Sequence, residues 1–334
     1  MLIPRYWATH TTQHGQGDSQ FAIQRFGWSL ASQQEAQDMA RARADEALRE
    51  KLAGGAPIRR EPKVAYNGAE GVPIREEIVD THGSIVITRN SYGARCMNVA
   101  NVCFIDVDQK PEKLWKNPGF RIFFMALIVL ASLILLIIPM VGRSYNYDVT
   151  SLPLPLPCIT IISLIIVALL PEFLAYSRRI TVKKVTGWLA ELTGEDKNAG
   201  FRLYRTPAGF RIIATHKTFD PESEEVARLF ERLRADPRYR QMCVRQKCFR
   251  ARVSAKPWRA HVYDRIKGGV WPPDSADKMA QRAHWISRYE FEAALWSACR
   301  FVAAVGSTAM PTEVAAAVRL HDQLCEALSD KLCA

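Results

Sequence analysis

Two aspartates, Asp106 and Asp108, close the run "NVCFIDVDQK" (residues 101–110) with one residue between them. In an extended strand, residues i and i+2 project to the same side. Their carboxylates then repel one another, and a divalent cation such as Mg²⁺ or Mn²⁺, taking oxygen ligands, relieves that repulsion. A second chemically loaded run, "RLYRTPAGFRIIATH" (202–216), supplies Arg205, Arg211 and His216. Arg205 and Arg211 suit phosphate oxygens, Arg211 through a bidentate fork, and His216 is a proton donor or phosphate contact. A third run, "FRARVSAKPWR", sets Arg250, Arg252, Lys256 and Arg259 around Trp258. Such a set stacks on a base and holds its phosphates, or else forms a solvated basic face. "TRNSYGAR", with Arg89 and Arg95, is a weaker version of the same pattern. The expected roles are therefore metal for Asp106 and Asp108, catalysis for His216 and Arg211, and cofactor binding for Arg205, Arg252 and Lys256. The competing role for the two acids is structural, since strand-end aspartates also cap helices or pair with arginines.

These residues need elements to position them. "FAIQRFGW" alternates as a strand should. "SQQE" (Ser32 to Glu35) is a capping box opening a helix to about Leu52, stopped at Gly54-Gly55. "SIVITRN" (84–90) is a β-branched strand, "SYGAR" a turn, and "NVCFIDVD" the strand that carries the acids. Farther on, "RITVKKVTGWLAELTGE" has helical periodicity, "GFRLYRT" and "FRIIATH" form a hairpin about "PAG", "DPESEEVARLFERLRAD" is a helix with an acidic first turn, and "KCFRARVS" is a strand. The order strand, helix, strand, strand, helix, strand predicts an α+β fold with a split βαβ, ferredoxin-like core. Beyond Pro257, "SADKMAQRAHWISRYEFEAALWSACRFVAAVG" and "PTEVAAAVRLHDQLCEALSDKL" are expected to pair as antiparallel amphipathic helices.

Two apolar runs interrupt this order. "IFFMALIVLASLILLIIPMVG" (122–142) has no charge, and "ITIISLIIVALLPEFLAYS" (159–177), charged only at Glu172, follows the proline-rich "LPLPLPC". Each is long enough to span a bilayer's hydrocarbon core. Lys110, Lys113, Lys116 and Arg121 precede them, Arg178, Arg179, Lys183 and Lys184 follow, and the link offers only Arg143 beside Asp148. That asymmetry predicts a multi-pass protein of the bacterial inner membrane, in contact with the lipid bilayer and with both termini cytoplasmic. The expected division is 1–118 as an N-terminal part, 119–142 and 152–177 as spans about an external link 143–151, 178–260 as the rest of the core, and 261–334 as the C-terminal helices.

The chain of 334 residues carries a net charge of +11 and 24% charged residues, a balance that suits nucleotides, nucleic acid or lipid headgroups. Its eight cysteines contain no CxxC pair, which argues for reduced thiols in a cytosolic setting. Cys243 and Cys248 have no neighbouring histidine and are expected to be buried. The polar first thirty residues predict no cleaved signal peptide.

The acidic strand, the glycine hairpin "TPAGFR" and the later "ATH" together resemble the catalytic core of archaeo-eukaryotic-type primase-polymerases, over roughly residues 84 to 260. The resemblance implies metal at Asp106 and Asp108 and nucleotide phosphates at His216. In several members the histidine follows the glycine hairpin almost at once, where this chain has Arg211. By strand alternation Arg211 and His216 face opposite ways, so only one of them meets the acids. Asp264 is the nearest candidate for a third acid. The whole chain also resembles a group of bacterial membrane-associated proteins, a likeness that brings no activity with it. Three functions follow: a metal-dependent nucleotidyltransferase-like enzyme, a non-catalytic binding module, or a nucleotide-sugar transferase. The last is disfavoured because residues 1–100 lack alternating strand-helix units.

Overall fold

The computed structural model describes residues 1–17, 20–61, 72–109, 126 and 180–334. Met1–Val107 and Val185–Ala334 form one compact unit, and Asp108–Lys184 form a second.

Strands β1 (Tyr6–His14) and β2 (Phe21–Ser29) make an antiparallel hairpin in which Tyr6 faces Ser29 and His14 faces Phe21. Helix α1 (Gln33–Leu52) begins where the Ser32 side chain accepts from the Glu35 backbone N–H, the expected N-cap. Ala36, Ala40, Ala44 and Ala47 are its buried residues, a stripe narrow enough to let backbones approach closely. Gly27 of β2 completes that approach, because a Cβ there would lie 2.0 Å from the Ala36 carbonyl oxygen.

Two four-stranded sheets follow. One has the order β3 (Glu77–His82), β4 (Ile85–Arg89), β5 (Arg95–Val99), β9 (Phe249–Arg252). The other has the order β10 (Arg300–Gly306), β7 (Gly200–Thr206), β8 (Gly209–Ala214), β6 (Phe104–Asp108). Strand β8 is buried along its whole length, as a central strand with both faces covered should be. Helix α2 (Val182–Glu195) precedes β7, α3 (Glu224–Arg232) follows β8, and α4 (Pro237–Gln246) leads into β9. Ser223 caps α3 by accepting from the Val226 backbone N–H, and Asp236 caps α4, which has proline in its first turn. The Tyr239 hydroxyl of α4 donates to the Phe104 carbonyl at 2.9 Å and accepts from the Arg250 N–H at 3.3 Å. One side chain thus joins the two sheets. The core between these layers includes Met97, Phe104, Ile105, Leu189, Phe210, Ile212, Phe230 and Phe249, all essentially inaccessible.

The expected fold needs three corrections. Strand β6, before the apolar runs, is the neighbour of β8, after them, but β9 leaves that sheet and pairs with β5, Val99 facing Phe249. The fourth place is taken instead by β10, beside β7, so the sheet is not a completed ferredoxin-like one. The C-terminal helices are not a simple pair. Helix α5 (Ala276–Ala293) stops well before α6 (Thr312–Cys325), with β10 between them. The transmembrane hairpin is also corrected: no helix among the described residues is long and apolar enough to cross a membrane. The stretches 119–142 and 152–177 lie outside the described residues, Ala126 apart. The expected multi-pass placement in an inner membrane therefore has no helix here to carry it.

Candidate functional site

Asp106 faces a cation, and the cation is internal. Arg211 on β8 is almost wholly buried; its Nε lies 2.9 Å from Asp106 Oδ1, and its Nη1 donates to the Arg252 carbonyl at 2.9 Å. Burial pulls the Arg211 pKa down, but Asp106 and the nearby Cys299 and Cys325 more than reverse this and hold the guanidinium charged. An external divalent ion would have to displace an arginine whose own desolvation depends on that carboxylate. Asp108, the last residue of β6, is exposed and begins the second unit.

His216 is placed elsewhere. It lies five residues beyond Arg211, on the order of 16 Å along an extended chain. Its Nδ1 accepts from the Gly200 N–H at 3.1 Å, and its ring meets Phe201 and Phe219. Arg211, not His216, meets the acid. Arg205 is exposed on β7 opposite Arg300. Arg252 spends its Nη1 on the Ser254 carbonyl at 2.6 Å, and Lys256 lies over the Trp258 ring at 5.4 Å. Arg250 is buried, donating to both Glu76 carboxylate oxygens at 2.7 and 2.6 Å. Asp264 pairs with Arg288. The expected catalytic, cofactor and metal residues therefore do not converge on one cleft.

Behind Arg211 lies a group that sequence reasoning missed. Arg211 Nη1 is 3.3 Å from His321 Nε2, and His321 Nδ1 is 3.0 Å from Asp322 Oδ1. Asp322 also takes Arg202 at 2.7 Å, and Arg202 reaches the Tyr204 hydroxyl at 2.7 Å. Burial raises the Asp322 pKa, but His321, Tyr204 and Arg202 outweigh it and keep the group below the usual carboxylate range. Cys299 Sγ lies 3.8 Å from His321 Nε2, and the donor atoms of Cys299, His321 and Cys325 all lie within 4.8 Å of one another. His321 and Cys325 are four apart on α6, hence on one helix face; that spacing was the available signal.

A second feature is a cleft of about 530 Å³, within the range of small-molecule sites. Tyr92, Trp258, Tyr263 and Trp271 bring aromatic rings to its wall, and Arg75, Arg89, Arg265 and Arg282 bring charge. Helix α5 supplies Arg282, and Ser275 caps that helix by accepting from the Lys278 N–H. Tyr92 meets Trp258 edge-on at 5.2 Å, and the Arg282 guanidinium lies over Trp271 at 5.4 Å. Trp258 and Tyr263 are 46% and 75% exposed. The arginines outnumber the carboxylates that serve them. Glu77 is shared by Arg89 at 3.8 Å and Arg282 at 2.9 Å, and Glu290 by Arg89 at 2.8 Å and Arg95 at 3.5 Å. Arg75 lies over the Phe26 ring at 4.8 Å, its buried Nε has no hydrogen-bond partner among the described residues, and burial lowers its pKa to about 10.

No protein-family model matches the chain, and no curated protein or solved structure is detectably similar to it.

Proposed function

We propose that this chain is a binding module for a nucleoside phosphate, held in the aromatic and arginine-lined cleft without metal-dependent transfer at Asp106 and Asp108. The observation that carries the reading is the coincidence, in one cleft, of exposed rings with arginines in excess of their carboxylates. Aromatic faces stack on bases, and guanidinium groups hold phosphate oxygens bidentately. The net charge of +11 favours the same anionic class. The Asp106–Arg211 pair supports the non-catalytic side of the reading, since an acid neutralised by a buried arginine is a poor Mg²⁺ or Mn²⁺ ligand.

The test is titration calorimetry with ATP, GTP and pyrophosphate, each with EDTA and with Mg²⁺. A nucleoside triphosphate should bind in both conditions and pyrophosphate more weakly. Trp258→Ala should weaken nucleotide binding by about 5- to 100-fold, the range expected for one lost base–aromatic stack. If no nucleotide binds, or if binding requires the divalent ion and vanishes in a folded Asp106→Asn variant, the reading fails.

A further inference from the structure

We propose that Cys299, His321 and Cys325 form a zinc site. It is independent of the cleft and of any role for Asp106 as a metal ligand. All three residues are fully buried, and their donor atoms lie within 4.8 Å of one another. Zn²⁺ takes thiolate sulfur at about 2.3 Å and imidazole nitrogen at about 2.0–2.1 Å in a tetrahedron, which sets neighbouring sulfur and nitrogen donors roughly 3.5 Å apart. The Cys299 Sγ to His321 Nε2 separation of 3.8 Å needs only a small contraction to reach that value.

The surroundings of the histidine make the assignment more than a chance meeting of buried thiols. Asp322 is 3.0 Å from His321 Nδ1; as an ionised carboxylate it can only accept, so Nδ1 carries the proton and Nε2, on the side of the Cys299 sulfur, is the acceptor that meets Arg211 Nη1. A carboxylate behind a ligating imidazole is the usual outer support of a zinc histidine, fixing its tautomer and ring orientation. Arg202, at 2.7 Å from the other Asp322 oxygen, holds that carboxylate in turn. The backbone fixes the two cysteines as well. The Ala298 N–H donates to the Cys325 carbonyl at 2.9 Å, so the segment leading into β10 is tied to the last turn of α6.

Charge balance permits the ion beside Arg211. Binding Zn²⁺ releases the two thiol protons, so the net charge of the buried group is unchanged. The Arg211 Nη1, now 3.3 Å from His321 Nε2, gives up the imidazole lone pair to the metal. Its N–H then donates to a thiolate sulfur. Three protein donors leave one tetrahedral position open.

The experiment uses the full chain purified under reducing conditions from zinc-supplemented cultures. Elemental analysis should find about one zinc per chain. Replacement by Co²⁺ should give tetrahedral ligand-field bands and a thiolate-to-cobalt charge-transfer band, both lost in Cys299→Ser and in His321→Gln and kept in Cys333→Ser. If the first two variants fail to fold, the wild-type chain still decides through X-ray absorption at the zinc edge: sulfur neighbours at about 2.3 Å together with nitrogen at about 2.0–2.1 Å are expected, and a shell without sulfur overturns the proposal. Absence of zinc together with no cobalt spectrum overturns the proposal. So does a Cys299–Cys325 disulfide found by mass spectrometry in freshly isolated protein, because oxidised sulfurs cannot ligate.

Discussion

Arg211 Nε lies 2.9 Å from Asp106 Oδ1, and the same guanidinium donates to the Arg252 carbonyl on the other sheet. The pair joins β6, β8 and β9, so Asp106 acts first as a partner that keeps a buried charge in place. Removing one member of a buried pair usually costs about 3–5 kcal/mol because the other charge is left uncompensated. Asp106 is 39% exposed, and water can replace part of what is lost. Asp106→Asn should therefore lower stability by about 1–3 kcal/mol in urea unfolding. Mg²⁺ should leave the wild-type midpoint unmoved. A wild-type midpoint that rises with Mg²⁺ and loses that rise in Asp106→Asn would restore the metal role for this acid.

Gly93 should tolerate no side chain. Its φ is +103°, and a Cβ there would lie 2.3 Å from Trp285 Cη2. Its carbonyl accepts from Arg89 Nη1 at 2.8 Å, and Trp285 Nε1 donates to the Asp264 carbonyl at 3.2 Å. The backbone strain and the overpacking therefore both fall on residues behind the cleft. Gly93→Ala should cost about 2–4 kcal/mol and weaken nucleotide binding along with it. Unchanged unfolding would show that Trp285 has another place to go.

Tyr289 sets an alkaline limit. Its hydroxyl donates to the Ala255 carbonyl at 2.6 Å and meets Ser254 Oγ at 2.7 Å. Burial pushes its pKa up to about 12, against a smaller downward pull from Ser254. A folded pKa above the unfolded value of about 10 means the native state holds the proton longer. The contribution is therefore complete below pH 10 and is lost as pH rises toward about 12. Tyr289→Phe should lower neutral stability by about 1 kcal/mol and flatten the decline between those pH values. A variant with the same alkaline slope as wild type would assign that decline to other groups.

What could be read in the residues was local. The Ser32 N-cap, the glycine hairpin between β7 and β8 and the acidic opening of α3 are each written within a few positions, and the structure has all three, although the capping box is only half made because Glu35 Oε2 accepts from the Ser29 hydroxyl and the Ser32 N–H donates to Ser29 Oγ. Strand β10 was hidden because "ACRFVAAVG" is apolar and alanine-rich, so it continued the helical pattern before it; its pairing with β7 makes it a strand. The departure of β9 to β5 is likewise a tertiary choice that element order does not encode. At the site, Asp106 and Arg211 stood out by type and spacing, but their meeting satisfies each rather than leaving both for a ligand. The Cys299, His321 and Cys325 group joins the residue before β10 to the end of α6. The cleft draws Arg75, Tyr92, Trp258 and Arg282 from four separate segments. Trp258 was placed beforehand in a basic-aromatic set and Tyr92 falls in its weaker counterpart "TRNSYGAR", whereas Arg75 and Arg282 carried no such signal.

Arg250 gives the sharpest contrast between ligand binding and architecture. Its Nη2 lies 2.7 and 2.6 Å from the two oxygens of Glu76, whose Oε2 also accepts from the Thr88 hydroxyl at 2.7 Å. Arg250 Nη1 is 3.4 Å from Asn98 Oδ1. Glu76, Thr88, Asn98 and Arg250 are all buried, so the network belongs to the sheet and offers no fork to a phosphate. Burial lowers the Arg250 pKa, but its buried partners, Cys96 and Glu76 foremost, overcome this and hold the charge. Glu76→Gln leaves that charge without a counter-ion and should cost about 3–5 kcal/mol. Replacing both partners by apolar residues of similar size, Glu76→Leu with Arg250→Met, should recover most of the loss, since neither charge is then desolvated. Urea unfolding of Glu76→Leu, Arg250→Met and their double variant gives the coupling directly. Additive losses, with the double variant no better than the worse single one, would mean that Thr88 and Asn98 need the ionic partners for their own hydrogen bonds.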